Sequence, residues 1–334
     1  MAAYTTIDNP ELYFQVKLYT GDGSTPSITL DGDEDMQPDM VWIKNRDATD
    51  SHCIFDAVRG ATEVLHVDTN ALEATDADTL TSFDSDGFAL GADDKVNTNT
   101  ENYVAWCWKE SATAGFDIVT ATGTGSAHTI AHSLSAVPHL MISKEYNQAN
   151  DWRMYNHKNT SAPETDSIII NETSGTEDNA THWNDTAPTS SVFTVGTGSV
   201  TNRTDSTYVY YLWTEKQGFS KFGEYTGNGN ADGTYVHLGF RPAFLILKRT
   251  DGNGYIEGWL MWDNKRLGYN PDNNHLQPHD NDAFGTADTL DLLSNGFKIR
   301  ESGAGTNGSG NTYIYMAFAE APFVNSNGVP CNAR

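Results

Sequence analysis

Cysteine is nearly missing. The three in 334 residues, Cys53, Cys107 and Cys331, stand far apart with no Cys-x-x-Cys pair, which excludes a disulfide framework and a thiolate metal site. Positive charge is also scarce. Twenty Lys and Arg face 45 Asp and Glu, a formal charge of −25, so phosphate backbones and anionic membrane surfaces would be repelled and nucleic acid is not an expected partner. No apolar run approaches the roughly 18 residues of a membrane span. The opening Met1-Ala-Ala-Tyr-Thr-Thr lacks the basic and apolar regions of a signal peptide, so synthesis in a cytoplasm without export or membrane insertion is expected. Apolar residues at helical spacing are almost absent. There is no Gly-x-Ser-x-Gly, no P-loop with Gly-Lys-Ser/Thr, no strand-to-helix Gly-x-Gly-x-x-Gly and no His-Glu-x-x-His, and no enzyme class is indicated.

What the chain has instead is a repeat. Tyr103-Val-Ala-Trp-Cys-Trp-Lys-Glu110 returns as Tyr208-Val-Tyr-Tyr-Leu-Trp-Thr-Glu215 and as Tyr313-Ile-Tyr-Met-Ala-Phe-Ala-Glu320, a step of 105 both times (208 − 103 and 313 − 208). Each copy reads as a buried strand closing a unit of about 100 residues. The units open on Phe14-Gln-Val-Lys-Leu-Tyr19, Phe116-Asp-Ile-Val119 and Phe222-Gly-Glu-Tyr225, each followed by a glycine turn. A proline, an apolar run and a lysine follow, as Pro38 to Lys44, Pro138 to Lys144 and Pro242 to Lys248, which suits a central strand. Turns come next, at Asn45 to Ala48, Asn147 to Asn150 and Asp251 to Gly254, and a polar hairpin such as Gly303 to Gly310 precedes the closing strand. The expected fold is all-β, three tandem antiparallel β-sandwiches of jelly-roll or lectin-like type. The boundaries are an N-terminal arm at 1–13, units at 14–110, 116–215 and 219–322, and a C-terminal arm at 323–334, with joints too short for free swivelling.

Four groups of residues could carry chemistry. Asp31-Gly-Asp-Glu-Asp35 and Asp84-Ser-Asp86 place carboxylates close enough for a calcium site, although neither has the twelve-residue loop spacing and both suit turns. His128 with His132, and His275 with His279, are four apart, which serves a metal only on a helix that neither segment resembles. Asp56, Glu63 and Glu101 are candidates for paired glycosidase carboxylates, against the plain alternative of surface acids. Trp42, Trp106, Trp108 and Trp213 read as core, whereas Trp152, Trp183, Trp259 and Trp262 lie in or beside variable segments and are the candidates for stacking on sugar rings, with core packing as the alternative.

The order of motifs resembles that of tandem β-domain virion proteins of marine tailed bacteriophages. Those residues are Tyr19-Thr-Gly-Asp-Gly-Ser24, Pro38-Asp-Met-Val-Trp-Ile-Lys-Asn-Arg46, Phe55-Asp-Ala-Val-Arg-Gly60, Phe83 to Gly91 and Tyr103 to Trp108 in the first unit. The third unit keeps Tyr225-Thr-Gly-Asn-Gly229, Arg241 to Arg249, Ser294-Asn-Gly-Phe297 and Glu320 to Gly328. The second lacks the Arg-Gly and Ser-Asp-Gly-Phe elements. The resemblance implies a virion protein on tail (fibre or adaptor) or head (decoration), made in the host cytoplasm, with other virion proteins and further copies of itself as partners and no catalytic residues. A module that binds host-surface glycan through the four tryptophans is the alternative. The two arms are expected to anchor the protein in the particle.

Overall fold

The computed structural model describes residues 3–252, 258–266, 270 and 272–331, so part of the Asp251–Gly254 turn and the extreme ends of both arms lie outside the described residues. The protein is all-β, 43% strand and 6% helix, built from several antiparallel sheets with no barrel. In the first unit the strands are β1 (Phe14–Thr20), β2 (Ser27–Ile28), β3 (Met40–Asn45), β4 (Cys53–Asp56), β5 (Gly60–His66), β6 (Ala74–Thr75), β7 (Leu80–Asp84), β8 (Gly87–Leu90) and β9 (Asn102–Trp108). In the second they are β10 (Phe116–Thr122), β11 (His128–Ala131), β12 (Leu140–Glu145), β13 (Arg153–Asn156), β14 (Asp166–Ile169), β15 (Glu177–Asp178), β16 (Val192–Val195) and β17 (Thr207–Trp213). The third holds β18 (Ser220–Thr226), β19 (Tyr235–His237), β20 (Phe240–Arg249), β21 (Leu260–Asp263), β22 (Asp272–His275), β23 (Gly285–Leu293), β24 (Gly296–Ile299) and β25 (Thr312–Pro322). One main-sheet order recurs three times, as β1-β9-β3-β4, β10-β17-β12-β13 and β18-β25-β20-β21. β5 and β6 extend the first of these sheets and β14 and β15 the second, and the remaining strands form a smaller sheet in each unit, β2-β8-β7, β11-β16 and β19-β24-β23-β22. The repeated Tyr-to-Glu stretch is thus the strand between the opening strand and the proline-led strand.

Side chains alternate between the faces of a strand, and both faces of these main sheets are buried. Val41, Ile43, Tyr103, Ala105 and Cys107 point into a core shared with Ile28, Leu80 and Phe88 of the small sheet. Their neighbours Met40, Trp42, Val104, Trp106 and Trp108 point the other way, into a cluster that also holds Val209, Tyr211 and Trp213 of the second unit and Phe244, Met316 and Phe318 of the third. Near-continuous apolar runs in an antiparallel sheet follow from this double burial. The rings meet across units: Trp108 lies 5.5 Å from Phe244 and 5.7 Å from Phe318, and Phe14 stacks on Phe318 at 5.1 Å. At the centre a cavity of about 20 Å³ is walled by Trp42, Trp152, Trp213, Trp259, Ile246 and Met316. It could admit one water by size, but its wall is apolar, so it stays dry.

Each unit also holds the preceding one through polar contacts. Lys44 donates to the Asn281 carbonyl of the third unit (3.1 Å), Lys144 to the Asn70 carbonyl of the first (3.1 Å), and Lys248 to the Thr173 carbonyl of the second (3.0 Å). All three lysines are fully buried, and burial draws Lys44 and Lys144 down to about 8. Trp152 donates to the His66 carbonyl (2.9 Å) and Trp259 to the Ile169 carbonyl (2.9 Å), while His52 occupies the matching position of the first unit beside the Gln277 backbone. These lysine and indole contacts all run one way, second to first, third to second and first to third. Heterologous contacts that return to their starting unit after three steps make a closed ring about a pseudo-threefold axis.

Two covalent joints link the ring, Ser111–Gly115 and Lys216–Gly218; the third junction is closed by the arms. Tyr4 donates to the Gly239 carbonyl (2.7 Å), Thr5 and Ile7 are buried, and Asp8 accepts from the Ser326 amide (2.7 Å) and hydroxyl (2.5 Å). Phe323 N–H bonds the Gly239 carbonyl, and Cys331 N–H returns to the Phe323 carbonyl. The arms therefore clasp the first unit to the third, so part of their apolar and hydrogen-bonding surface is used within the chain. Deleting residues 1–10 should destabilise the protein by about 2–4 kcal/mol, from the lost Ile7 and Pro10 burial and the lost Tyr4 hydrogen bond to the Gly239 carbonyl. Chemical denaturation checks it, and an unchanged midpoint would refute the clasp.

Candidate functional site

The four tryptophans read as sugar platforms are interior: Trp152 and Trp183 are 1% exposed, Trp259 2% and Trp262 0%. No ring face is left for a glycan. The segments carrying Trp152 and Trp259 turn inward because each indole N–H finds a carbonyl of the neighbouring unit. Trp183 packs against Tyr155 in the second unit's own core, and Trp262 is buried in the cluster that all three units share.

The acids are likewise occupied. Asp56 is fully buried, pairs with Arg59 at 2.6 Å and accepts from the Tyr211 hydroxyl of the second unit at 2.7 Å. Asp263 and Arg266 repeat the pair at 2.6 Å, and there the Trp106 indole of the first unit donates at 3.2 Å. Glu63 accepts from Thr75 and Glu101 from Asn45, so the three proposed glycosidase carboxylates serve separate contacts. Asp31 lies 3.5 Å from Lys17, Asp84 accepts from Ser82 and Asp86 from the Met36 amide. His132 meets the Thr189 carbonyl and His279 accepts from the Trp259 amide, separate from His128 and His275. Among the described residues no group of three or more His, Cys, Asp or Glu is arranged to hold a metal.

The feature repeated most closely at the surface is a loop. Gly21-Asp-Gly-Ser24, Gly123-Thr-Gly-Ser126 and Gly227-Asn-Gly-Asn230 each wrap a fully buried asparagine, Asn97, Asn202 or Asn307, again 105 apart (202 − 97 and 307 − 202). The asparagine oxygen accepts from the second loop residue at 2.9, 2.7 and 2.9 Å. Its amide donates to the fourth loop carbonyl, Ser24, Ser126 or Asn230, at 2.9, 2.8 and 2.8 Å. The second glycine has φ of +67°, +69° and +66°, where an L side chain is strained. A Cβ on the first glycine would fall 2.1–2.3 Å from a carbonyl oxygen in every unit. The repeated tyrosine locks the other side: Tyr103, Tyr208 and Tyr313 donate to the carbonyls of Asp94, Ser199 and Ala304 at 2.6–2.7 Å. Where the sequence suggests a hairpin, the first two units form a helical turn, Asp94–Asn97 and Ser199–Asn202, which carries the asparagine into the loop. Replacing Asn202 with Ala leaves the Thr124 amide and the Gly196 carbonyl without their Asn202 partner and removes one of the bonds to the Ser126 carbonyl, for an expected loss of about 2–3 kcal/mol. Amide exchange at Thr124 should speed up alongside the lowered denaturation midpoint, and unchanged exchange would refute the lock.

The opposite ends of the sheets carry the joints, since β1, β10 and β18 begin beside the ends of β9, β17 and β25 and run towards the glycine loops. Each repeated glutamate serves its joint: Glu215 accepts from the Phe222 amide at 2.8 Å, and Glu320 pairs with Arg241 at 2.8 Å. Beside Glu215 a cleft of about 450 Å³ is lined by Tyr4, His139, Lys221 and His237. His139 accepts from the Glu215 amide at Nδ1 and is held below the usual imidazole range, first by burial and then by His157, 4.5 Å away. At the first joint burial, reinforced by Asp117, pushes Glu110 up to about 7. The folded protein thus binds a proton there between the ordinary value near 4.5 and 7 that the unfolded chain releases, so stability falls as pH rises through that window. Glu110→Gln should flatten the fall by on the order of 1 kcal/mol, after discounting for the half-exposed carboxyl. Urea midpoints at pH 5 and pH 8 provide the test; equal slopes for the two proteins would refute it.

Residues 9–322 match a family described as a domain of unknown function (DUF7483). No curated protein matches. Among the described residues no helix is long and apolar enough to cross a membrane.

Proposed function

From the premise that the chain belongs to the DUF7483 family across all three units and both joints, we propose that it is a non-enzymatic structural protein of a tailed-phage virion. On this reading each unit is an antiparallel β-sandwich of jelly-roll type, and the protein sits in several copies on tail or head beside other virion proteins. The observation that carries it is where the repeated motif residues go. Trp42, Trp106, Trp108, Asp56 and Arg59, on which the resemblance to marine phage virion proteins rests, all hold one unit to another or fill the shared core. None is left facing solvent with chemistry to perform. Motif residues used in this way for rigidity suit a part whose task is to keep its shape within an assembly. Mass spectrometry and cryo-electron microscopy of purified particles of a phage that encodes the chain provide the test. Its presence at a fixed copy number is expected, and its absence from washed particles would end the proposal.

A further inference from the structure

A pseudo-threefold ring has two unlike ends. At the joint end the symmetry is broken, because two junctions are covalent and the third is the clasp of Tyr4 to Asp8 with Phe323 to Cys331. At the other end it is kept. The three glycine loops have the same length, the same buried asparagine, the same positive φ and hydrogen bonds that agree within 0.2 Å (2.9, 2.7 and 2.9 Å). Their tips stand exposed at Asp22 to Thr25, at Thr124, Ser126 and Ala127, and at Asn228 to Asp232. Positions related by a rotation axis lie at one height along it, so the tips form a triangle on one face. The second unit lacks the Arg59-Gly60 and Ser85-Asp86-Gly87-Phe88 elements of the first, yet Gly123 to Ser126, Asn202 and Tyr208 keep this loop in register.

We propose that this face docks end-on upon a protein surface made of three identical chains around a threefold axis, one copy of this chain capping three copies of its partner. The inference rests on the virion reading and adds the partner's symmetry and the face that meets it. One chain can match a homotrimer only if it offers the same contact three times, and the loops do. The contact is polar: Asp22, Thr124 and Asn228 use a side-chain oxygen to cap their own turn, the Ser24 and Thr124 hydroxyls and the Asn228 amide also bond within their loops, and the exposed side chains of Asp22, Ser126 and Asn230 are left to meet a partner. The locks hold the tips in place before contact, which removes most of the ordering cost that a flexible loop would bring. Three such contacts on one rigid body act together, so affinity multiplies along the ring.

The experiment uses particles that carry the full-length chain. Quantitative mass spectrometry is expected to give one copy of the chain per three copies of one other virion protein, and cryo-electron microscopy to place it on a threefold axis with Gly23, Gly125 and Gly229 inward. Ser24→Arg, Ser126→Arg and Asn230→Arg should each weaken incorporation roughly tenfold and to a similar degree, the triple variant should abolish it, and Thr113→Arg at the joint end should leave it unchanged. Denaturation of each purified variant separates lost docking from lost folding, and the wild-type stoichiometry does not depend on any variant. A chain present in particles at another ratio, off the axis, or with Thr113→Arg as harmful as the tip changes overturns this docking while the virion reading stands. A chain absent from particles overturns both.

Discussion

Trp108→Ala is expected to cost about 3–5 kcal/mol and to lower one unfolding transition of the whole chain, not the first of three. The ring is 1% exposed and packs against Phe14 of its own unit at 4.9 Å and against Phe244 and Phe318 of the third. Its indole nitrogen has no hydrogen-bond partner, so the loss measures packing alone. If the units were independent beads, calorimetry would resolve separate transitions and the substitution would move only one. With the core shared, calorimetric and van 't Hoff enthalpies should agree for the wild type, and the variant should keep that agreement at a lower midpoint. Three resolved peaks would remove the common core from consideration.

Asp56→Ala should be comparably severe, about 3–5 kcal/mol, because it strands a guanidinium that is 2% exposed. The carboxylate accepts from the Val58 and Arg59 amides, from Arg59 Nε and from the Tyr211 hydroxyl, so removal affects the first unit's turn and its contact with the second at once. Arg59 would keep neutral acceptors such as the Glu63 carbonyl but, among the described residues, only one paired carboxylate, Glu73, 2.6 Å away and partly exposed. The double variant Asp56→Leu with Arg59→Met should be less damaging than Asp56→Ala alone, since a charge pair replaced by apolar bulk leaves nothing unpaired. A double-mutant cycle by urea denaturation measures the coupling. Additive losses would show that the pair is not a unit.

Much of this organisation is legible in the chain itself. The 105-residue step fixes the units, and Pro38 to Lys44 with its two counterparts gives the central strands, because runs such as Met40-Val-Trp-Ile43 leave no polar face for water. The second covering layer could not be read. It comes from residues such as Phe244 and Phe318, more than 130 positions from Trp108, and periodicity reports that a face is buried without saying by what. The same limit misplaced Trp152 and Trp259, whose variable surroundings suggested a surface while their indoles bridge units. Asn97, Asn202 and Asn307 carried a signal in their spacing, but asparagine is common here and the four-residue helical turns that present the first two are too short to show a helical period. The clasp was half visible in the apolar Tyr4 and Phe323, though nothing local showed that the arms reach each other.

The covering of each inter-unit face by the other two units has a bearing on how the protein is made. A ribosome releases the chain in order at roughly 5–20 residues per second, so the first unit emerges complete while the strands that cover Trp42, Trp106 and Trp108 are still untranslated. The second unit supplies Tyr211 and Trp213, but Phe318 lies on the last strand of the chain, about 200 residues after Trp108. For on the order of ten seconds a nascent chain therefore carries a wet aromatic face that a neighbouring nascent chain on the same message could cover instead. Slower elongation lengthens that exposure, and a chain halted before β25 leaves the ribosome as a sticky two-thirds of a ring, a natural substrate for holding chaperones and a source of inclusion bodies.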